Sequence, residues 1–194
     1  MLALAKLLCK RQLLCKRQQK APISNFRESP VVASAKRQED VKTRLIILIG
    51  LPASGKSTLA RKIVSKYPQC KLISTDAIRA QLFGDEAIQG SWLQVWQEVQ
   101  QQFHQAVSQT SLAIYDATNT QRRRRKELID LAREIGFSYI TGLWLDKSLE
   151  LCLERNKRRK RQVPEEVIIK MSRQLTDVLP SCEEGFDRLQ RITR

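Results

Sequence analysis

The chain has 194 residues, and its 35 lysines and arginines against 20 aspartates and glutamates give a formal net charge of +15. No apolar run approaches the roughly 18 residues that a membrane-spanning helix needs, which excludes such a span. Five scattered cysteines without a C-x-x-C pair, together with a single histidine, argue against a structural metal site or a disulfide framework. They favour a reducing, cytoplasmic setting.

The first 44 residues differ in composition from the rest. They carry 11 basic and 3 acidic side chains, which leaves 24 and 17 for residues 45–194, so over half of the net charge lies in this segment. Residues 7–18 repeat the hexapeptide LLCKRQ, and a period of six fits neither a helix nor a strand well. We expect residues 1–44 to be a basic, disordered extension. A membrane-surface or RNA-contacting arm and an organelle transit segment are the alternatives.

From residue 45 the sequence alternates short apolar runs with amphipathic stretches. Strands are predicted over residues 45–50, 71–75, 111–116 and 138–146. Helices are predicted over about residues 55–67, 76–84, 92–110, 122–137, 148–158 and 164–175. This alternation is typical of an α/β fold in which helices cover both faces of a parallel sheet. We assign residues 45–179 to this domain and residues 180–194 to a C-terminal tail.

The predicted helix over residues 92–110 carries a stripe of large apolar side chains. Trp92, Trp96, Val99 and Phe103 are spaced by four, three and four residues, and therefore share one helical face. We interpret this stripe as core packing rather than as a platform on which nucleobases stack.

Residues 50–57, GLPASGKS, match the pattern G-x-x-x-x-G-K-[ST] between an apolar strand and an amphipathic helix. Its two glycines allow a tight turn, and successive N–H groups of the loop then form a phosphate site. Lys56 adds a positive charge for the β- and γ-phosphates, and the Ser57 hydroxyl can bind Mg²⁺. We therefore expect ATP and Mg²⁺ to be bound here by the residues Gly50, Pro52, Ala53, Ser54, Gly55, Lys56, Ser57 and Thr58.

Asp116 ends the third predicted strand, where its carboxylate can be a partner for Mg²⁺. A motor ATPase would place a water-activating glutamate directly after such an aspartate, but Ala117 stands there. The missing carboxylate favours transfer of phosphate to an acceptor other than water.

Asp76 follows the second predicted strand, at the sheet edge where open α/β sheets bind ligands. Its carboxylate can accept the proton of an attacking hydroxyl. Arg79, one helical turn later, can bind a phosphate or hold that carboxylate in position. The alternative is that Asp76 is only a helix N-cap, which its place after Ser74 and Thr75 also fits.

Two further segments are strongly basic. In RNKRRKRQVP, residues 155–164, Arg155 and Arg159 are four apart and would share a helical face. We expect both in a short helical lid over the transferred phosphate, with a solvated basic face as the alternative. The run Arg122–Lys126 opens a helix, where cations oppose the helix dipole, and it indicates either a binding surface or solubilising charge.

In this order, the motifs resemble those of small P-loop kinases of the polynucleotide 5′-hydroxyl kinase type, which are similar to seryl-tRNA kinases and zeta-toxin-like kinases. The resemblance covers about residues 44–175 and rests on GLPASGKST, on Asp76 with Arg79, on DATN at 116–119, and on RNKRR followed by VPEEVIIKM. It implies a nucleoside-kinase-like fold, Asp76 as general base, Arg79 near the acceptor phosphate, and Arg155 and Arg159 as lid arginines. The group often has Asp-Thr-Asn where this chain has Ala117, Thr118 and Asn119, so the carboxylate that completes the Mg²⁺ shell stays open.

Three functional hypotheses follow. The leading one is ATP-dependent phosphorylation of a hydroxyl, with the 5′ end of RNA or DNA as the preferred acceptor. The second keeps the kinase activity but takes an aminoacyl-tRNA or a small nucleotide-like metabolite as acceptor. The third is a nucleic-acid-binding protein whose ATP site is regulatory.

Overall fold

The computed structural model describes residues 43–193, which are built around a parallel sheet. The strands are β1 (Arg44–Ile49), β2 (Lys71–Ser74), β3 (Leu112–Asp116), β4 (Tyr139–Leu145) and β5 (Arg188–Ile192). The helices are α1 (Lys56–Lys66), α2 (Thr75–Phe83), α3 (Trp92–Gln109), α4 (Arg122–Ile135), α5 (Leu149–Lys157) and α6 (Glu165–Asp177). The sheet order is β2-β3-β1-β4-β5 and every pairing is parallel, so the predicted α/β fold is confirmed. No helix within residues 43–193 is long and apolar enough to cross a membrane.

The folded domain begins before residue 45. Thr43 is buried, and its carbonyl oxygen accepts hydrogen bonds from the backbone N–H groups of Ser138 and Tyr139. Arg44 already pairs with β3 and β4. The rest of the predicted extension, residues 1–42, includes the hexapeptide repeat and lies outside the described residues.

The central strand β1 carries apolar side chains on both faces, and both faces are buried by helices. Leu45, Ile47 and Ile49 pack into one core cluster with side chains from α2 to α6. Leu48 points to the opposite face and packs against α1. Successive side chains of a strand alternate between faces, so the apolar run of β1 is buried on both sides. Each fully buried leucine or isoleucine contributes about 1.5–3 kcal/mol to stability.

The segment that we assigned to a C-terminal tail forms the edge of the sheet. β5 pairs with β4, with Gly142 opposite Leu189, and Phe186 just before the strand is buried in the core. The strand has the sequence RLQRI, and its polar positions are mostly exposed. Edge strands commonly carry such charged side chains, which weakens the apolar pattern that would predict them. The domain therefore extends beyond residue 179.

A buried ion pair holds this C-terminal segment against α4. Arg125 and Glu184 are both fully buried, and the Arg125 Nε and Nη2 atoms lie 2.6 and 2.7 Å from the two carboxylate oxygens of Glu184. Arg125 also donates to the carbonyl oxygens of Asn119 and Thr120 at 3.1 and 2.9 Å. The run Arg122–Lys126 is therefore not a uniform surface, because its fourth residue belongs to the core.

We expect Glu184→Ala to lower the free energy of unfolding by about 3–5 kcal/mol, because it leaves the Arg125 guanidinium buried without a counter-charge. Urea denaturation followed by circular dichroism measures this. Glu183→Ala, which changes the exposed neighbour, is the matched control and should leave the midpoint unchanged. Equal midpoints for the two variants would contradict a stabilising role of the pair.

Candidate active site

The carboxyl ends of three neighbouring strands bring the predicted site together. The phosphate loop, residues 50–57, follows β1, Asp76 lies in the first turn of α2 directly after β2, and Asp116 ends β3. These ends meet at one edge because the strands are parallel. The loops there line a cleft of about 1840 Å³. All the predicted site residues line this cleft except Gly50.

The phosphate loop is a tight turn with left-handed backbone positions. Gly55, at the N-cap of α1, has φ 101°, and Ala53 has φ 60°. Gly50 has φ 150°, and a Cβ placed on it would lie 2.8 Å from the carbonyl oxygen of Leu145, so no side chain fits there. Ser54 Oγ is buried and finds no hydrogen-bond partner among residues 43–193. The free N–H groups at the start of α1 face the cleft and suit an anion.

Lys56 is buried in the loop. Its Nζ donates hydrogen bonds to the carbonyl oxygens of Gly50 and Leu51 at 3.0 and 2.7 Å. Burial lowers the pKa of Lys56 to about 8, and the negative charge of Asp116 partly opposes that effect. At neutral pH the lysine is therefore mostly protonated, and the loop holds a poorly hydrated positive charge beside the cleft.

Asp116 and Ser57 fit a magnesium ion. Asp116 is buried, and burial raises the pKa of its carboxyl. A hydrogen bond with the Ser57 side chain and the charge of Lys56 oppose that rise. Carboxylate and hydroxyl oxygens are ligands that Mg²⁺ takes together with phosphate oxygens. Asp116 is the carboxylate that lies beside Ser57.

The Asp76 side chain pairs with two arginines and does not cap helix α2. The N-cap of α2 is Ser74, whose Oγ accepts from the N–H of Ala77 at 3.4 Å. The carboxylate oxygens of Asp76 lie 3.0 Å from Arg79 Nη1 and 3.3 Å from Arg161 Nη1. The side chain of Asp76 is 47% exposed. The N-cap interpretation is therefore wrong, and the carboxylate is free to meet a ligand in the cleft.

The two arginines predicted to lie on one helix over the cleft come from a helix and from the turn that follows it. Arg155 and Arg159 both line the cleft, but α5 ends at Lys157, so the two do not share a helix. Arg159 lies in the turn that follows, where its N–H donates to the carbonyl oxygen of Asn156. Arg161, which no sequence motif distinguished from the neighbouring cations, also lines the cleft and pairs with Asp76.

Two asparagines that the sequence analysis gave no role fix the loops around the cleft. Asn156 is buried and pairs with both backbone groups of Val163, at 2.7 and 3.0 Å, which closes the loop between α5 and α6. Asn119 has φ 52°, and its Nδ2 donates to the carbonyl oxygen of Leu48 at 2.6 Å. Asn119 stands in the DATN motif at 116–119, the one signal that could have identified it.

Comparisons with known proteins match the region that builds this cleft. A family model described as an AAA domain matches residues 45–178. The L-seryl-tRNA(Sec) kinase of Methanococcus maripaludis is 32% identical over 136 residues, which is 66% of this chain and 50% of that protein. The 2′,3′-cyclic-nucleotide 3′-phosphodiesterase of Pongo abelii is 31% identical over 105 residues, which is 53% of this chain and 24% of that protein.

A solved structure gives a similar match. A chain of the Pnkp1/Rnl/Hen1 RNA repair complex superposes with a TM-score of 0.64 at 25% identity, covering 79% of this chain and 49% of that one. The chain thus spans about half, or less, of the length of these proteins.

We expect Lys56→Ala to weaken ATP binding by roughly 10- to 100-fold, because it removes a charged hydrogen-bond donor worth about 1.5–3 kcal/mol to phosphate. Isothermal titration calorimetry measures the affinity. Lys66→Ala, at the exposed end of the same helix, is the matched control and should bind ATP as the unaltered protein does. An unchanged affinity in Lys56→Ala would show that the loop does not bind the triphosphate.

Proposed function

The chain belongs to the AAA-domain family whose model matches residues 45–178, a family of P-loop kinases, and on this basis we propose that it is an ATP-dependent kinase with a hydroxyl acceptor. The observation that carries the proposal is the setting of Asp76. Its half-exposed carboxylate takes no part in helix capping, lies beside two arginines, and lines the same cleft as the phosphate loop. A carboxylate so placed can take the proton of an attacking hydroxyl.

The phosphate loop and Lys56 bind the triphosphate of ATP in this proposal. Ser57 and Asp116 would hold Mg²⁺, which would supply positive charge to neutralise the triphosphate. The buried charge of Lys56 is well suited to this task because an interaction between charges is stronger away from water. Ala117 follows Asp116 and cannot activate water, which supports an acceptor other than water.

The transfer step involves one bond made and one broken. The acceptor oxygen bonds to the γ-phosphorus, the bond from that phosphorus to the oxygen bridging to the β-phosphate breaks, and ADP leaves with that oxygen. The hydroxyl proton passes to Asp76. Arg79, 3.0 Å from this carboxylate, positions it. Arg155 and Arg159 stabilise the charge on the transferred phosphoryl group, a task in which one arginine can change the rate by about 10³–10⁵.

The acceptor that the surface favours is the 5′ hydroxyl of a polynucleotide. Arg122, Arg123 and Lys126 are exposed at the start of α4, and the neighbouring Arg124 lines the cleft. Such a row of cations matches the phosphates that follow a 5′ end, and its contribution to binding would fall steeply with salt. The likeness to a chain of an RNA repair complex supports the same acceptor.

A second acceptor class is favoured by a specific relative. The similarity to an L-seryl-tRNA(Sec) kinase supports the hydroxyl of an aminoacyl-tRNA as the alternative target of the same Asp76. Both acceptors carry phosphodiester chains, so the exposed cations of α4 suit either one.

Incubation with γ-labelled ATP and Mg²⁺ should label 5′-hydroxyl RNA or DNA oligonucleotides in a panel that also holds seryl-tRNA, nucleosides and sugar alcohols. Phosphate transfer is read by gel and by mass spectrometry. Oligonucleotides blocked by a 5′ phosphate are the matched control and should stay unlabelled. Labelling of seryl-tRNA alone would select the alternative acceptor. Bound ATP with no labelled acceptor would contradict the kinase proposal and favour a regulatory ATP site.

Asp76→Asn should lower the rate of phosphate transfer by about 10²–10⁴-fold, the usual contribution of a general base, and leave ATP affinity nearly unchanged. Transfer is measured by the labelling assay and affinity by calorimetry. The control is Asp177→Asn, which alters an exposed carboxylate at the end of α6. A fully active Asp76→Asn protein would overturn the assignment of the base.

A further inference from the structure

An aromatic pair stands at the cleft without a part in the proposed transfer step. Trp92 is the first residue of α3, and its ring stacks on that of Trp96, with centroids 6.0 Å apart and an angle of 26° between planes. Both rings line the cleft. Trp96 packs against the core, whereas Trp92 keeps 39% of its surface exposed.

The stripe on α3 therefore divides into two parts. Val99 and Phe103 are fully buried in the core, as the sequence analysis expected. Trp92 lies beyond the end of that core, so packing alone does not explain a large exposed indole at this position. An exposed tryptophan in a cleft offers a ligand a large apolar surface, whose burial stabilises binding.

The guanidinium group of Arg124 lies beside the aromatic pair. The Arg124 Cζ atom lies over the Trp92 ring, 5.4 Å from its centroid, and the Arg124 side chain is 53% exposed. The nearest carboxylate oxygen, on Glu127, is 4.0 Å from Arg124, which makes it a weak competitor for this charge. Aromatic rings, indoles among them, and the guanidinium planes of arginines are surfaces on which proteins stack unpaired nucleobases.

The aromatic pair, Arg124 and the proposed base Asp76 all line the same cleft. Arg161 binds both Asp76 and Glu86, at 3.3 and 3.2 Å, and Glu86 precedes Trp92 by six residues. The guanidinium groups of Arg79 and Arg124 both act on the buried Tyr115 phenol, where they oppose the rise that burial causes in its pKa. Tyr115, Arg79 and Arg124 line the cleft together with Asp76 and Trp92.

We propose that Trp92 and Arg124 bind the base of the 5′-terminal nucleotide of a single-stranded polynucleotide acceptor, an inference that rests on the proposed phosphorylation of a polynucleotide 5′ hydroxyl. The terminal base stacks on the indole and guanidinium, while its hydroxyl faces Asp76. The exposed cations of α4, Arg122, Arg123 and Lys126, then meet the phosphates that follow. A sugar or hydroxy acid has no aromatic face for this surface, and a base inside a duplex is already stacked.

Steady-state kinetics with two acceptors test the site. One is a 5′-hydroxyl oligonucleotide, and the other is the same oligonucleotide with an abasic 5′-terminal sugar. We expect the abasic acceptor and the Trp92→Ala variant each to raise KM by about tenfold, the scale of one stacked base, without changing kcat or ATP affinity. The two changes combined should raise KM no further than either alone, because both remove the same contact.

Two variants serve as controls in that experiment. Trp92→Phe keeps an aromatic face and should recover most of the affinity for the intact acceptor. Leu93→Ala changes the exposed neighbour of Trp92 and should behave like the unaltered protein. Thermal unfolding by circular dichroism verifies that each variant is folded.

The outcomes separate this inference from the proposed function. If the protein labels oligonucleotides and Trp92→Ala has an unaltered KM, or if the abasic penalty persists in Trp92→Ala, the stacking site is overturned and the kinase proposal stands. If no oligonucleotide is labelled, the proposal of a polynucleotide acceptor is wrong. The stacking site is then tested by measuring oligonucleotide affinity, through the quenching of tryptophan fluorescence by the 5′-hydroxyl oligonucleotide. Equal oligonucleotide affinity of Trp92→Ala and the unaltered protein would then overturn it, and a loss of about tenfold would support it.

Discussion

Contacts between the ends of parallel strands hold the cleft together. The N–H of Gly50 donates to the carbonyl oxygen of Thr118 at 3.0 Å, and Asn119 Nδ2 donates to the carbonyl oxygen of Leu48 at 2.6 Å. On the other side of β1, the Leu145 carbonyl at the end of β4 leaves no room for a side chain at Gly50. The phosphate loop is thus fixed between the ends of β3 and β4. The electrostatic interaction between Lys56 and Asp116 depends on that placement. This interaction partly opposes the lowering of the Lys56 pKa by burial.

The arginines of this chain perform different physical tasks that their similar sequence context does not reveal. Arg125 is fully buried and neutralised by Glu184, so it stabilises the fold and has no contact with solvent. Its neighbour Arg124 is half-exposed, and its Cζ atom lies 5.4 Å from the centroid of the Trp92 ring. Arg161 pairs with both Asp76 and Glu86. The net charge of +15 is therefore not one continuous nucleic-acid-binding surface.

Regular elements with strong apolar patterns could be predicted, and those without them could not. The first four strands and all six helices agree with the expected ranges within a few residues, because their periodicity reflects burial. β5 escaped prediction because an edge strand with exposed arginines has little periodicity. The expectation that Arg159 shares a helical face with Arg155 was wrong. There the buried side chain of Asn156 pairs with Val163, so that the chain leaves the helix before Arg159.

By itself, the sequence determined the chemistry that depends on residues close together in the chain. The phosphate loop is such a case, since two glycines, a lysine and a serine within eight residues suffice to predict an anion site at a helix start. Only the tertiary structure decided that Arg161 faces the cleft and that Arg125 is buried, because the partners of these two arginines lie far along the chain. Glu184 lies 59 residues from Arg125, and Asp76 lies 85 residues from Arg161. A one-dimensional pattern contains the charges but not the distances between them, and Coulomb interactions and burial depend on those distances.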